Sequence, residues 1–197
     1  MNSSKSTMLL TKAYSFQERN IPFICIKPKV DTRNGVNTIS SRIGISRPCT
    51  PVATDTNIFE YIQNAVELAS ATGGDKFEWV LVDEAQFLTA AQVEQLADVV
   101  DELDINVMCY GLRTDFQTKL FEGSKRLLEL ADNIEELKIS CECGRKAIIN
   151  TRIDKNGEIV LDGEQIEIGG NDRYISLCRR CYHKLKREKE QNINQKS

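Results

Sequence analysis

The sequence predicts an α/β fold, with a parallel sheet covered by helices, followed by a small cysteine-containing domain. Three observations support this prediction. Apolar runs alternate with amphipathic helical segments, one of those runs ends abruptly in two carboxylates, and the last third of the chain changes character. Alternating strands and helices are typical of a parallel sheet, because parallel strands need crossover connections. The carboxylates would then lie at the sheet edge where ligands bind.

The central element of the prediction is the segment FEWVLVDEAQF at residues 77–87. Trp79–Val82 form a continuous apolar run, which fits a parallel strand buried on both faces. Asp83 and Glu84 follow directly, and because unpaired carboxylates are costly to bury, the strand is predicted to end at a site. An acid there is well placed to hold a metal ion on a nucleotide. An exposed acidic pair that begins a loop would give the same pattern.

The amino-terminal residues, MNSSKST, precede an apolar segment with helical spacing. Lys5 and Ser6 match the end of a phosphate-binding loop, in which backbone N–H groups hold phosphate, a lysine reaches its oxygens and a hydroxyl binds Mg²⁺. Ser4 stands where that pattern has glycine, and a positive φ would strain a serine by about 1 kcal/mol. The first glycine of the pattern and its strand would lie before Met1. An ordinary capped helix is the alternative.

Further segments complete the predicted sheet. Two crossovers between buried strands imply a doubly wound arrangement. The polar segment at 28–46 is interpreted as a loop, in which Asp31 and Arg33 are either part of a site or a solvated charge pair. The predicted helices and strands are helices at 6–19, 57–71 and 89–103, and strands at 21–27, 79–82 and 105–110.

Composition excludes several classes of protein. The 197 residues suffice for one main domain and a small appendage. A net charge of −3 argues against a general nucleic-acid binder, which usually has a basic face. The sequence has neither an apolar run that could span a bilayer nor a signal peptide, so we expect a cytoplasmic protein without a membrane partner. Seven cysteines, an odd number, do not suit a secreted disulfide framework.

Four of the cysteines form two close pairs in the last third of the chain, and they predict a tetrahedral, structural zinc site. The DKNGE segment between the pairs has the Asn-Gly signal of a tight hairpin, which is too small to have its own core. His183 is an alternative fourth ligand, but the spacing favours Cys181. The predicted ligands are Cys141, Cys143, Cys178 and Cys181.

Several separated motifs run in order along the chain. They are MNSSKST at 1–7, DTR at 31–33, DEAQF at 83–87, GLRTDFQTKLF at 111–121, IGGNDRY at 168–174 and the four paired cysteines. Together they resemble the motifs of the zinc-containing, type II thymidine kinases. The resemblance implies a RecA-like phosphate-loop domain at 1–138 that lacks its first strand, a zinc-ribbon-like domain at 139–185 and a homotetramer. The charged residues after His183 predict a frayed helix, with a flexible tail at 186–197.

The resemblance implies transfer of the γ-phosphate of ATP to the 5′-hydroxyl of thymidine, giving dTMP and ADP for DNA synthesis. Glu84 would be the general base, Arg33 would stabilise transition-state charge, and Asp83 would hold Mg²⁺ through water. Ser6 would coordinate the same ion and Lys5 would neutralise developing charge. The residues implied at ATP are Met1, Asn2, Ser3, Ser4, Lys5, Ser6, Asp83, Glu84, Ala85 and Gln86.

The resemblance also implies a nucleoside site, closed by the segment 163–174 as a lasso. Aromatic rings suit a flat base, although aromatic residues in loops can also be simple packing contacts. Arg113 and Asp115 could pair with phosphate or with each other. The residues implied at the nucleoside are Asp31, Phe87, Leu112, Phe116, Phe121, Ile168, Gly169 and Tyr174.

A second hypothesis is a catalytically silent nucleotide-binding or zinc-ribbon interaction protein. The serine in the phosphate loop favours it, whereas the glutamate of DEAQF and the loop of aromatic residues favour the enzyme. Phosphate transfer to thymidine discriminates between the two.

Overall fold

The computed structural model describes residues 4–32, 35–166 and 173–194. The chain separates into two compact units. The larger unit comprises residues 4–113 and 121–134, and the smaller unit comprises residues 114–120 together with residues from 135 onward. The inclusion of 114–120 in the smaller unit differs from the domain prediction, which placed boundaries after residues 138 and 185. None of the helices in the described ranges is long and apolar enough to cross a membrane.

In its described residues, the larger unit contains four helices, one 3₁₀ turn and six strands. Four strands form a parallel sheet of order β4-β1-β5-β6, and the other two pair as a short antiparallel hairpin. In chain order the elements are α1 Lys5–Glu18, β1 Phe23–Pro28, β2 Thr38–Ser40, β3 Ser46–Pro48, β4 Thr50–Val52, α2 Ile58–Ala71, β5 Trp79–Val82, the 3₁₀ turn Ala85–Phe87, α3 Ala90–Leu103, β6 Asn106–Cys109 and α4 Glu122–Leu130.

Alternate residues of the central strands face two separate cores. On one face, Ile24, Ile26 and Val80 pack with α2 and α3. On the other face, Cys25 and Leu81 pack with α1. Because successive strand residues point to opposite faces, the continuous apolar run in β5 requires a helix layer on each side. The α/β prediction with a parallel sheet is therefore confirmed.

Side-chain caps fix where two of the helices begin. Asn57 accepts a hydrogen bond from the backbone N–H of Glu60 at the start of α2. Thr89 and Gln92 form a reciprocal capping box at the start of α3. These bonds satisfy N–H groups that have no partner within the helix.

The segment at 28–46 is not a plain loop, and a strand that follows it was missed. It contains β2 and the first residue of β3, and β4 then pairs in parallel with β1 at an edge of the sheet. The sequence TPV of β4 has little strand signal, because it is three residues long and contains Pro51. Proline is tolerated there because an edge strand has an unpaired side.

A glycine in the first turn of α4 allows that helix to approach the 3₁₀ turn. A Cβ atom at Gly123 would lie 2.6 Å from the carbonyl oxygen of Leu88 and 2.7 Å from that of Ala85. Glu122, beside it, accepts a hydrogen bond from the backbone N–H of Ala90. The start of α4 is therefore fitted closely to the segment that follows β5.

The smaller unit has a core of its own around two short antiparallel sheets. β7 Ile139–Ser140 pairs with β8 Lys146–Ala147, and β9 Ile149–Arg152 pairs with β10 Tyr174–Leu177. The predicted DKNGE hairpin is present, closed by a bridge between residues 153 and 159, with Gly157 at a φ of 79°. The last helix, α5, is Arg179–Asn194.

Residues 186–194, predicted as part of a flexible tail, are the continuation of α5. Pairs four residues apart, Lys184 with Glu188 and Lys186 with Glu190, lie within ion-pair distance along its surface. Such pairs stabilise an exposed helix by a few tenths of a kcal/mol each, about 0.3–0.5. Residues 195–197 lie outside the described part of the chain.

Candidate active site and metal centre

The start of α1 and the end of β5 meet at one edge of the sheet. The Ser6 hydroxyl donates to Asp83 Oδ2 over 2.8 Å. The other oxygen, Asp83 Oδ1, is buried and has no hydrogen-bond partner among the described residues. A buried carboxylate oxygen without a donor is costly unless a cation or water satisfies it. The side chains that were predicted to hold a metal ion on a nucleotide are therefore in contact.

The entrance to α1 suits an anion. Ser4 is the N-cap residue, but its side chain makes no capping hydrogen bond. Its φ of 52° lies in the left-handed region, where the phosphate-loop pattern has glycine. The uncapped N–H groups of the first turn, together with the helix dipole, favour a bound anion such as phosphate. The predicted strain at Ser4 is thus present in the backbone.

Glu84 is held in a position that an ordinary loop residue would not adopt. It is buried, with a relative exposure of 6%, and its φ of 50° is again left-handed. The Gln86 amide nitrogen donates to Glu84 Oε2 over 2.6 Å, while Gln86 Oε1 accepts from the backbone N–H of Leu112. That second bond fixes which end of the amide faces the carboxylate, so Glu84 is oriented as an acceptor.

Asp83 has an unusual proton affinity. Burial, followed by the charge of the adjacent Glu84, raises the pKa of Asp83 to about 6. The hydrogen bond from Ser6 acts in the opposite direction but does not overcome burial. A raised pKa at a partly satisfied, buried carboxylate is typical of functional sites. A divalent cation at Asp83 would restore its charged form.

A buried lysine organises the neighbouring strand end and was missed in the sequence. Lys27, at the end of β1, is 1% exposed. Its ammonium group lies 3.3 Å from Asp31 Oδ2 and donates to the carbonyl oxygens of Gly35 and Thr38 over 2.9 and 3.0 Å. Asp31 is thereby placed at the carboxyl edge of the sheet. Lys27 follows three buried residues near the end of a parallel strand, but a lysine carries no local signal of burial, because this residue type is usually exposed.

Besides Asp31, three predicted nucleoside residues lie in the larger unit. The rings of Phe87 and Phe121 pack edge to face, with centroids 5.7 Å apart. Leu112, after β6, accepts a hydrogen bond at its carbonyl oxygen from the Ser124 hydroxyl over 2.5 Å. Phe87, in the 3₁₀ turn after β5, and Leu112, shortly after β6, follow strand ends at the carboxyl edge, where ligands bind in parallel sheets.

Two further predicted nucleoside residues, Phe116 and Tyr174, lie in the smaller unit. Both contact Arg152, which the sequence analysis did not single out. The guanidinium carbon lies 4.0 Å from the Phe116 ring centroid, and Nε donates to the Tyr174 hydroxyl over 3.1 Å. An arginine in a strand gives no sequence signal of burial, because this residue type is usually exposed.

The carboxylate of Asp115 accepts hydrogen bonds from other residues of the smaller unit. Its Oδ1 accepts from the backbone N–H groups of Gln117 and Lys119, each over 2.9 Å, and Oδ2 accepts from the Gln165 amide over 2.8 Å. Of the alternatives weighed for this carboxylate, phosphate or Arg113, neither is needed to explain its burial. The predicted site residues Met1, Asn2, Ser3, Arg33, Ile168 and Gly169 lie outside the described residues.

Four cysteine sulfurs of the smaller unit converge on one point. All four Sγ atoms lie within 4.8 Å of one another, and those of Cys143 and Cys178 are 3.6 Å apart. Tetrahedral Zn–S bonds of about 2.3 Å would place the sulfurs about 3.8 Å apart, so the donors fit this ion. His183 is exposed and does not belong to the cluster. The cluster comprises Cys141, Cys143, Cys178 and Cys181.

Hydrogen bonding prepares these thiols for a cation. Backbone N–H groups donate to Cys141 and Cys178, which lowers the pKa of Cys141 and lowers that of Cys178 to about 7. Sharing of protons with Cys143 and Cys178 raises the pKa of Cys181 to about 12. A divalent metal ion binds thiolates and would replace those shared protons.

Comparison with known proteins identifies the family. The family model described as thymidine kinase matches residues 1–182. The chain belongs to the thymidine kinase family. A thymidine kinase of Mannheimia succiniciproducens is 52% identical over 179 residues, covering 91% of this chain and 89% of the relative. A thymidine kinase of Haemophilus influenzae strain 86-028NP is 50% identical over 182 residues, covering 92% and 91%. One of Rhodopirellula baltica is 47% identical over 179 residues, covering 91% and 82%.

Membership of the thymidine kinase family confirms the resemblance drawn from the separated motifs. The match runs through both compact units and past the last cysteine of the cluster. The acidic pair after β5, the uncapped start of α1 and the cysteine cluster are therefore features of one family member and not three unrelated fragments.

Proposed function

We propose that the chain transfers the γ-phosphate of ATP to the 5′-hydroxyl of thymidine. The observation that carries this proposal is the contact between Ser6 and Asp83, with Asp83 Oδ1 left without a donor. It joins a helix N-terminus suited to phosphate to a buried carboxylate suited to a divalent cation. Family membership supplies the substrates, since the curated relatives are thymidine kinases.

The Ser6 hydroxyl and the Asp83 carboxylate would hold Mg²⁺ with the nucleotide. Oxygen donors are the ligands that Mg²⁺ prefers, and because this ion keeps several of its waters, Asp83 Oδ1 would hold it through one of them. When bound, the ion would neutralise charge on the phosphate oxygens. Lys5, on the first turn of α1, would add a second positive charge beside them, and the residues 1–3 before it would contribute backbone N–H groups.

Glu84 would accept the proton of the 5′-hydroxyl as that oxygen attacks the γ-phosphorus. Its carboxylate is buried and oriented by the fixed amide of Gln86. A base that is positioned before the substrate arrives contributes typically 10²–10⁴-fold to rate. Arg33 is proposed to stabilise charge in the transition state, with Asp31 beside it on the loop held by Lys27.

The rings of Phe87, Phe116, Phe121 and Tyr174, with Leu112, are proposed to contact the nucleoside. Their apolar faces suit a pyrimidine base, and Ile168 and Gly169 would add backbone contacts.

A structural zinc ion in the four-cysteine cluster would join the β7–β8 turn to the first turn of α5. Four protein ligands leave no open position on zinc, so its role would be in folding and not in chemistry. We also propose that the protein forms a homotetramer and that it is cytoplasmic.

The decisive experiment compares phosphate transfer from ATP to thymidine by the wild-type chain and by Glu84→Gln. The amide cannot accept a proton, so we expect turnover to fall by about 10²–10⁴-fold while ATP binding is retained. Glu102→Gln, which changes an exposed acid of α3, is the matched control and should leave both quantities unchanged. Unchanged turnover in Glu84→Gln would reject the base assignment.

The silent binding protein remains the second candidate, and the left-handed serine at position 4 favours it. It predicts a chain that binds zinc and folds but does not phosphorylate thymidine at any substrate concentration. Measurable transfer by the wild-type chain, abolished in Glu84→Gln, would eliminate this candidate.

A further inference from the structure

Arg152 occupies an environment that a purely structural arginine does not need. Its side chain lies in β9 and is 4% exposed. The guanidinium stacks on the Phe116 ring, with 4.0 Å between its central carbon and the ring centroid, and lies 5.7 Å from the Tyr174 centroid. Guanidinium groups stack on aromatic faces because the ring quadrupole attracts the cation.

The same guanidinium makes directed hydrogen bonds to two separate segments. Nε donates to the Tyr174 hydroxyl over 3.1 Å, and an Nη atom donates to the carbonyl oxygen of Glu164 over 2.9 Å. A Cβ atom at Gly163, next to Glu164, would lie 3.5 Å from Arg152 Nη1, so this part of the backbone runs close to the guanidinium. Arg152 therefore connects the ring of Phe116, the backbone at Glu164 and the hydroxyl of Tyr174 in one rigid fork.

A second tie holds the same region in place. The Gln165 amide, adjacent to Glu164, donates to Asp115 Oδ2 over 2.8 Å, and Asp115 organises the loop that carries Phe116. The two sets of hydrogen bonds differ in the charge of the donor, because the Gln165 amide is neutral whereas the Arg152 guanidinium is charged. Burial of a charged group is costly unless most of its donors are bound, so this fork must be kept intact for the region to hold its shape.

We propose that Arg152 is the positioning residue of the nucleoside side of the site, and that it sets thymidine affinity by fixing Phe116 and Tyr174 relative to each other. This inference rests on the proposed function, in which both rings contact the nucleoside. Arg152 acts through these two aromatic residues. Its effect should therefore fall on binding of thymidine and not on binding of ATP or on proton transfer at Glu84.

The test is a kinetic comparison of wild type, Arg152→Lys, Tyr174→Phe and the double variant. Lysine keeps the charge but loses the fork, so we expect KM for thymidine to rise about tenfold to a hundredfold, with KM for ATP unchanged. Tyr174→Phe removes only the acceptor and should raise KM for thymidine less. If the two residues act together, the double variant will resemble Arg152→Lys, because the contact between them is already lost.

The matched control is Arg187→Lys in α5, which changes an exposed arginine that also donates to a carbonyl oxygen. It should leave both KM values at the wild-type level. An unchanged KM for thymidine in Arg152→Lys, or an equal rise in KM for both substrates, would overturn the inference. Zinc content and the thermal midpoint, measured on each variant, identify any loss that comes from misfolding.

A separate measurement keeps this inference distinct from the proposed function. Amide hydrogen exchange over residues 114–120 and 163–166 should quicken in Arg152→Lys even without substrate, because the fork that joins the two segments is lost. If wild type transfers no phosphate to thymidine, the proposed function fails. Exchange at the wild-type rate in both segments would instead reject the positioning role of Arg152, whatever the chain phosphorylates.

Discussion

Ser4 and Glu84 have left-handed backbone conformations, although neither is glycine. Their φ values are 52° and 50°, and both residues border the proposed phosphate and metal site. A non-glycine residue in this region carries about 1–3 kcal/mol of strain, which persists only where the surrounding structure imposes it. At Glu84 the strain turns the chain directly after β5, so that the carboxylate and the Gln86 amide meet.

We expect Ser4→Gly to stabilise the protein. Glycine adopts a positive φ without steric cost, although its greater freedom in the unfolded chain removes part of the gain. The free energy of unfolding should rise by about 0.5–1 kcal/mol, measured by urea denaturation. Asn20→Gly is the matched control, because Asn20 has a φ of 53° at the other end of α1. Asparagine tolerates this conformation, so the control should gain less, and an equal gain would mean that Ser4 carries no special strain.

Residue types in sequence order were enough to predict the acidic pair, the Ser6 hydroxyl and the four cysteines. They could not predict Lys27 and Arg152, because burial of a cation depends on partners that are distant in sequence. Lys27 is satisfied by carbonyl oxygens of residues 35 and 38, and Arg152 by residues 164 and 174. Neither set of partners has a spacing that a local pattern would reveal.

At the scale of elements, strong amphipathic helices and fully buried strands were predicted within a residue or two. α2, α3 and β5 belong to this group, because burial repeats with the period of the element. β4 was missed because its three residues form a strand only by pairing with β1, in a register that places Thr50 opposite Ile26. Edge strands of this kind are decided by tertiary contact and not by propensity.

The cysteine cluster joins three elements, and this gives a prediction about metal content. Purified wild type should contain about one zinc ion per chain, Cys181→Ser should lose it, and His183→Ala should retain it. Cys181 lies in the first turn of α5 with its sulfur in the cluster, whereas His183 points to solvent. Elemental analysis after gel filtration measures all three. If Cys181→Ser retained zinc and His183→Ala lost it, His183 and not Cys181 would be the fourth ligand.

At the scale of the whole molecule, the buried acid at the end of β5 should make stability depend on pH. The pKa of Asp83 is raised from 3.8 to about 6 in the folded chain. Between these values the folded chain holds a proton that the unfolded chain has lost, so the free energy of unfolding falls as pH rises from about 4 to about 6. Above pH 6 this decrease in the free energy of unfolding stays constant, and its upper value is about 3 kcal/mol.

We therefore expect Asp83→Asn to be more stable than wild type at pH 8, by about 1–3 kcal/mol, and equally stable near pH 4. Asparagine does not ionise, so it avoids the cost of burying a charge, although it removes a carboxylate that is proposed to hold Mg²⁺. Urea unfolding at pH 4, 6 and 8 without divalent cations measures the difference. Asp101→Asn, an exposed acid of α3, should show no such trend. A stability difference that does not change with pH would contradict the role of burial.

The two-unit organisation of the chain was only partly accessible from the sequence. The change in composition near residue 138 indicated a second unit, and the cysteines indicated its core. Residues 114–120 belong to that unit although 121–134 return to the larger one. Such an excursion is set by contacts such as Tyr182 with the carbonyl oxygen of Phe116, and hydrophobic periodicity carries no information about it.

Gly123 also limits the substitutions that this protein can tolerate. Its α-hydrogen faces the carbonyl oxygens of Ala85 and Leu88, so even a methyl group would push the turn that follows Glu84. A genetic screen for lost function should therefore recover changes at position 123, which carries no charge, nucleophile or ligand atom. The space beside Gly123 is therefore as necessary to the proposed placement of Glu84 as the carboxylate is to its proposed role.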